Sequence, residues 1–509
     1  MSSDTTTKPT TRDSLIQGSI KTDSGTLHWD FSEHTPITLH GHLPFFAQFM
    51  QTGSLFSDWV GDCPLTYSSN NAPKVKDVLG TILLSVLSGH SRYCHSSALY
   101  GDEVASSLLG LSKIVSHDSL SRGLKKMDAE KAEEWLHTHL LRKTEPLLQH
   151  AYVLDIDATV KTVYGSQEGA EVGYNPHKPG RPSYCYHTYM IGTARLVMDV
   201  DVLPGKQTAG CYSHPGLWRI LDHLPPRLHP TFVRGDIAYG NEGTMHGCEE
   251  RGTDFLFKIR KSKLVKQLCL DLSKAGTPWE DAGNGWQATE TLLKLSGWSR
   301  SRRVVLLRRP KKKTSPIRAL KQPGLQNEFE FVEEEAMPHY DWSILVTSLD
   351  YDLRTIGKLY RDRGDCENVF DELKNQWGWG GFTTQSLKPT RIMAGIIALV
   401  FNWWNIFCRL ADPSEHKEAI TSRPLLQNVI GCLAKSGGKR LLHLSMSGKH
   451  ARETGLIFEK ISTFLTTVST APQLKPEEKW TYVLKKAFQN FLKDTHLLPV
   501  SDGTQLLLV

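Results

Sequence analysis

The chain has no pair of cysteines at C-x2-C spacing. Its nine cysteines stand apart at 63, 94, 185, 211, 248, 269, 366, 408 and 432. An odd, dispersed set gives no indication of a zinc ribbon or a disulfide framework and suits a reducing cytoplasm. No uninterrupted apolar run reaches the roughly 18 residues that suggest a membrane span, so none is expected. The N-terminal Met1-Ser-Ser-Asp-Thr-Thr-Thr-Lys8 lacks the apolar core of a secretory signal. Charge of one sign is scarce too. Sixty basic and 54 acidic residues leave a net +6, so a grip on a polyanion has to come from local patches. No heptad array or fixed-period repeat is present, which argues against a solenoid. What remains is an ordinary globular composition, 39% hydrophobic and 22% charged over 509 residues, with room for three or more domains.

Against that background one stretch stands out: Tyr360-Arg-Asp-Arg-Gly-Asp-Cys-Glu-Asn-Val-Phe-Asp-Glu-Leu-Lys374. Wound as one helix at about 100° per residue, it puts Tyr360, Arg363, Glu367 and Lys374 within roughly 60° of one another. Leu359, Cys366, Phe370, Leu373 and Trp377 form an apolar stripe beside them. A carboxylate, two cations and a phenol then line the edge of a buried face. Such a row is usually a solvated face of i,i+4 pairs, so function has to rest on further acids upstream.

Two segments supply them. Ala151-Tyr-Val-Leu-Asp-Ile-Asp-Ala-Thr-Val160 reads as a strand interrupted by acids. Asp155 and Asp157 share one face of it, and a carboxylate there is costly unless it is paired or binds a metal. Asp157 is the first candidate and Asp155 the alternative. Thr231-Phe-Val-Arg-Gly-Asp-Ile-Ala-Tyr-Gly240 runs from a strand into a Gly-containing turn. It places Asp236 at a strand's carboxyl end, where open α/β sheets build their sites.

The Tyr360-x2-Arg363-x3-Glu367-x6-Lys374 spacing resembles the YREK signature of bacterial insertion-sequence transposases of the DDE type. The Asp157-Ala-Thr159 strand end and the Arg-Gly-Asp236 segment resemble the first and second acid segments of the same family. The resemblance implies an RNase H-like α/β fold: a mixed sheet flanked by helices, with an inserted antiparallel β subdomain and helical ends. It implies Asp157, Asp236 and Glu367 as catalytic and metal-binding acids, with Asp371 the rival for the third position. They would hold two Mg2+ ions, for which Mn2+ can substitute. Arg363 and Lys374 would clamp the DNA backbone, and Tyr360 would hydrogen-bond a phosphate. The partners implied are double-stranded DNA (terminal inverted repeats and target) and a second copy of the chain in a synaptic homodimer. The place implied is the bacterial cytoplasm, at the nucleoid. The reaction implied is nicking at the element's end to give a 3′-OH that attacks the second strand or the target, with a hairpin intermediate implied by the YREK branch. The alternatives are a DDE-type nuclease without strand transfer and a catalytically silent DNA-binding protein derived from a transposase.

The remaining chain is divided accordingly. Residues 1–35 read as a polar arm, and 36–148 as a helical DNA-binding region. There Ser116 caps a helix that presents Arg122, Lys125 and Lys126 in a helix-turn-helix outline. Residues 149–262 and 346–410 form the two parts of the catalytic domain. Its loop 172–182 carries Lys178 and Arg181, which are either phosphate contacts or a solvated hairpin tip. Residues 263–345 form the inserted β subdomain, with strands at 286–295, 301–309, 328–334 and 342–348. Its dense basic run includes Arg302 and Arg308, read as DNA contacts. Trp286 and Trp298 are candidates for stacking a flipped base, although core packing is the commoner fate. Residues 411–509 read as helical, serving DNA or dimer contacts.

Overall fold

The computed structural model describes residues 17–30, 36–311, 339–414, 416–445 and 451–494. Its centre is one ten-stranded mixed sheet. Five strands make the heart of it: β1 (Val153–Thr162), β2 (Pro182–Ile191), β3 (Leu196–Pro204), β4 (Phe232–Gly235) and β5 (Asp254–Lys258). β3, β2 and β1 pair antiparallel in sequence order. β4 then adds parallel to β1, and β5 parallel to β4. This order is that of an RNase H-like sheet. β4 is Phe-Val-Arg-Gly and every residue of it is buried, as expected of a parallel strand covered on both faces.

The sheet continues past β5. β6 (Glu280–Gly283), β7 (Trp286–Leu293), β8 (Arg302–Pro310) and β9 (Tyr340–Thr347) form an antiparallel ribbon. β9 pairs antiparallel with β5, Val346 opposite Phe257. The segment expected as an inserted subdomain thus extends the catalytic sheet, and its backbone ladder joins that of the core. The strand expected at 328–334 lies outside the described residues.

Several helices frame this sheet. α1 (Val75–Leu87), α2 (His117–Lys126) and α3 (Ala129–Arg142) precede it. α4 (His214–His223) crosses between β3 and β4, and α5 (Glu242–Glu250) between β4 and β5. α6 (Leu353–Arg361), α7 (Gly364–Asn375) and α8 (Leu387–Ala411) follow β9. α8 is long and apolar enough to cross a membrane, yet 94% of its apolar window is buried inside the protein. Its polar residues explain why it belongs there. The Asn402 amide donates to the Val197 carbonyl at 2.7 Å and accepts from the Val197 N–H at 2.9 Å, so it pairs with the β3 backbone as a neighbouring strand would.

Three local expectations change. The stretch 360–374 is two helices: α6 ends at Arg361, and a turn at Asp362-Arg363 separates it from α7. Asp362, Gly364 and Asp365 are weak helix formers, and Arg363 is drawn toward Asp157. The polar lead contains a hairpin, Gln17–Thr22 against Gly25–Asp30. The C-terminal region carries the strand pair Gly431–Ser436 and Lys439–Leu444, extended by Ile37–Thr38.

Candidate active site

The parallel pairing of β1 with β4 sets the site. Asp155 lies opposite Arg234 and Ile156 opposite Gly235, so Asp157 and Asp236 come next along neighbouring strands. Asp236 begins the turn toward α5 and accepts the Ala238 N–H at 2.9 Å. Asp157 accepts its neighbour Ala158's N–H at 2.8 Å. Its other oxygen accepts from Arg363 Nη1 at 2.7 Å, while Arg363 Nη2 donates to Glu367 Oε1 at 3.0 Å. The Tyr360 phenol is hydrogen-bonded to the same guanidinium. The helix break is what lets one arginine bridge a strand and a helix.

Electrostatics are unbalanced here. Burial pushes the Asp157 carboxyl up to about 6; Arg363 opposes the rise and the Asp236 charge adds to it. Burial likewise lifts the Tyr360 phenol to about 12, so it keeps its proton at neutral pH and can donate it only in a hydrogen bond. Arg363 is half-buried, which works against its charge, but Asp157 and its other neighbours outweigh that and hold it protonated. Lys374 is half-buried with its pKa lowered by burial, against the pull of Asp371 and Asp157. Tyr360, Arg363, Glu367 and Lys374 therefore meet around Asp157 from two helices and the turn between them. Asp371 is exposed and accepts from Asn375 Nδ2 at 2.8 Å.

Asp155, the alternative to Asp157, is committed elsewhere. Both its oxygens are held by Arg234, Nε at 2.5 Å and Nη2 at 2.8 Å. Acid and arginine are each only 1% exposed. It anchors β4 to β1 and is not available to an ion.

The expected DNA contacts divide in the same way. Lys178 and Arg181 are exposed on a loop that Asn175 organises, accepting the His177 and Lys178 N–H groups and donating to Thr162. Arg122, Lys125 and Lys126 are carried by α2, whose cap is Ser116 as expected. Arg302 is a correction. It is buried, and its guanidinium is gripped by Glu242 and Glu249 at 2.7 Å each. Its charge is spent on α5 and cannot meet a phosphate. Trp298 is a second correction: it is buried in the core beneath the same guanidinium, so it cannot flip a base. Arg308 is half-buried between the Trp279 and Tyr340 rings, its Nε donating to Gln287. Trp286 is half-buried with the Arg309 guanidinium 4.8 Å from its ring centre.

Sequence reasoning missed Tyr164 and Tyr174, 67% and 72% exposed, beside the Lys178 loop. Arg181 lies over the Tyr164 ring at 5.7 Å. The signal that could have found them is two aromatics in a polar Gly/Pro segment.

Whether an ion fits can be judged from the donors. Among the described residues no group of three His, Cys, Asp or Glu side chains converges as a metal cluster; Arg363 holds the place between Asp157 and Glu367. The donors are nevertheless all carboxylate oxygens, the set a hard divalent cation takes. A buried carboxyl raised to about 6 beside a second acid is short of positive charge. The residues fit such an ion if the Arg363 guanidinium yields its place on Asp157.

Comparison with known proteins gives a match over residues 69–464 to the family described as "Transposase DDE domain group 1". No curated protein matches the chain. Among solved structures, the chain is similar to piggyBac transposase in a cryo-EM synaptic complex with hairpin DNA. The identity is 14% and the TM-score 0.37, over 92% of this chain and 87% of that one; at that level the likeness carries no further argument.

Proposed function

Since the chain belongs to the DDE transposase family, we propose that it acts on an insertion sequence by cut-and-paste transposition. It binds the element's terminal inverted repeats, cleaves there in a metal-dependent step, and transfers the freed 3′ end to target DNA. The observation that carries this reading is the meeting of Asp157, Asp236 and Glu367 around a single arginine, beside the paired central strands β1 and β4.

DDE transposases use divalent metal ions; here Mg2+ is the ion proposed, with Mn2+ as a substitute, held by Asp157 and Asp236 with Glu367. A bound pair of such ions supplies an activated water, a stabilised leaving oxygen and charge neutralisation at phosphorus. The chain does the rest. Asp157 stands between Asp236 and Glu367, so it would be the carboxylate shared by such ions. Arg363, released from Asp157, turns its guanidinium toward a phosphate oxygen as a bidentate donor. Tyr360 keeps its proton and donates to the same phosphate. Lys374 adds a charge at the far end of α7. Lys178 and Arg181 hold the backbone, with Tyr164 and Tyr174 offering ring faces to unpaired bases. Arg122, Lys125 and Lys126 on α2 form a second basic face. The Tyr360-x2-Arg363-x3-Glu367-x6-Lys374 spacing supports reading the chain as a YREK-type transposase, and a hairpin intermediate and a homodimer on paired ends are proposed with that reading.

The test is an assay on labelled DNA carrying the element's own terminal repeats, with Mg2+ or EDTA, for wild type, Asp236→Ala and Glu367→Ala. The expected result is cutting at the repeat end in Mg2+, lost in both variants while DNA binding persists. Cutting by Glu367→Ala would move the third position to Asp371. A wild type that binds the ends and never cuts in Mg2+ or Mn2+ would sink the catalytic reading.

A further inference from the structure

Behind the helix break lies a cavity of about 700 Å3. Its walls are the start of β1, the turn between β2 and β3, α6, the end of α8 and the C-terminal helix Gln489–Asp494. Three cations on these walls matter: Arg195, Lys358 and Arg409.

Among the described residues these cations are only loosely paired: Asp362 and Asp365 line the same cavity, and Arg409 lies over the Phe488 ring, 4.9 Å from its centre. Arg409 is 8% exposed, and among the described residues its Nε has no hydrogen-bond partner. Its Nη2 makes a long bond to the Ala194 carbonyl at 3.4 Å. Burial and the nearby Arg195 charge hold its pKa down to about 10. Arg195 lines the same cavity in the left-handed region, with φ +53°. Its Nη1 is buried and, among the described residues, likewise without a hydrogen-bond partner. The acids facing it, Asp365 and Glu372, stand 3.9 and 4.0 Å away, beyond hydrogen-bond reach. Glu372 is in any case engaged by His416, Trp377 and the Ala419 N–H. Arg234, on the same wall, is satisfied by Asp155. Lys358 is exposed at the rim of α6.

Two neighbouring arginines with buried, unmatched N–H groups are a costly arrangement unless an anion completes it. Arginine forks match the oxygens of phosphate; Thr193 lines the same walls, while the Thr355 and Ser414 hydroxyls there donate to Asp352 and Asp412. The volume is that of a ligand pocket. We propose that this cavity binds a phosphate group, carried by a ligand of about nucleotide size or by a DNA backbone, through Arg195, Arg409 and Lys358. The site is separate from the carboxylates around Asp157, and the proposal does not rest on the cleavage reaction. Its position matters because α6 lines it and also carries Tyr360.

The experiment is titration of the full chain, in EDTA, with inorganic phosphate followed by thermal shift and calorimetry. A saturable rise in Tm is expected for wild type. It should be lost in Arg409→Met and weakened about tenfold in Lys358→Ala, the scale of one charged hydrogen bond. It should persist in Arg363→Ala, which separates this site from the catalytic one. If Arg409→Met does not fold, Lys358→Ala and Arg195→Asn decide; asparagine tolerates the left-handed backbone. Competition by a short duplex would identify a DNA phosphate as the source. Competition by a nucleoside monophosphate alone would identify a free phosphate ester. No saturable response in wild type, or one abolished by Arg363→Ala and untouched at Lys358 and Arg409, overturns the proposal.

Discussion

Two aspartates stand two residues apart on β1, and each faces an arginine. Asp155 and Arg234 are both 1% exposed, and both carboxylate oxygens are held. Asp157 and Arg363 keep 14% and 15% of their side-chain surface. Only one oxygen of Asp157 meets the guanidinium, and a second acid lies beside it. Arg234 sits on the neighbouring strand and cannot leave. Arg363 sits in a turn between two helices and can. The sealed pair is a fastener between strands; the open pair, on the function proposed above, holds a carboxylate ready for another cation. The same chemistry therefore serves stability or function according to whether the partner is fixed and water is excluded. Arg302 repeats the sealed pattern with Glu242 and Glu249.

The sharpest break of this comparison is in activity. Asp157→Ala should lower cleavage by about a thousandfold or more, about 4 kcal/mol of barrier, without loss of folded protein, checked by end-cleavage kinetics beside circular dichroism. Asp155→Ala should do the reverse. It leaves a buried guanidinium unpaired and should cost about 3–5 kcal/mol of stability, measured by urea unfolding. If Asp155→Ala folded as well as wild type but lost metal-dependent cutting, the two roles would have to be exchanged.

A third outcome concerns pH. The folded Asp157 carboxyl titrates at about 6 against an ordinary value of 3.8. The folded state thus holds this proton more tightly than the unfolded one. Stability contributed by the protonated form is full below the ordinary value and is lost as pH rises through about 6. At neutral pH without metal the ionised group costs up to about 3 kcal/mol. Asp157→Asn should then raise the Tm of the metal-free protein at neutral pH, with the gain shrinking below about pH 6. A gain that grew on acidification would refute the assignment. Mg2+ should stabilise wild type more than this variant.

The smallest effect separates spent from available arginines. Lys178→Ala and Arg181→Ala should each reduce the salt slope of DNA binding by about one. Arg302→Ala should leave the slope unchanged and lower the unfolding midpoint instead. An unaltered slope for both loop variants would remove that loop from the DNA path.

Much of the site was legible because its parts are local. A strand with two acids, an Arg-Gly-Asp strand end and a charged helical row each have a short-range signature, and the family match covers all of them. The strands at 286–293, 302–310 and 340–347 were legible from β-rich runs for the same reason. The helix break at Asp362-Arg363 was less so, since a 100° periodicity passes over a two-residue turn without losing phase. Arg302 and Trp298 were misread because the partners that bury them lie far off in sequence: the glutamates of Arg302 are 60 and 53 residues away.

By itself, then, the sequence determined the class of fold, the order of the acids and the identity of the residues around them, since these follow from periodicity and residue chemistry. Only the tertiary structure decided which aspartate is sealed and which is open, which arginines are already paired, and that the β6–β9 ribbon extends the catalytic sheet. Those outcomes depend on strand register and on burial. A shift of one residue between β1 and β4 would move Arg234 off Asp155 and leave both charges buried without partners.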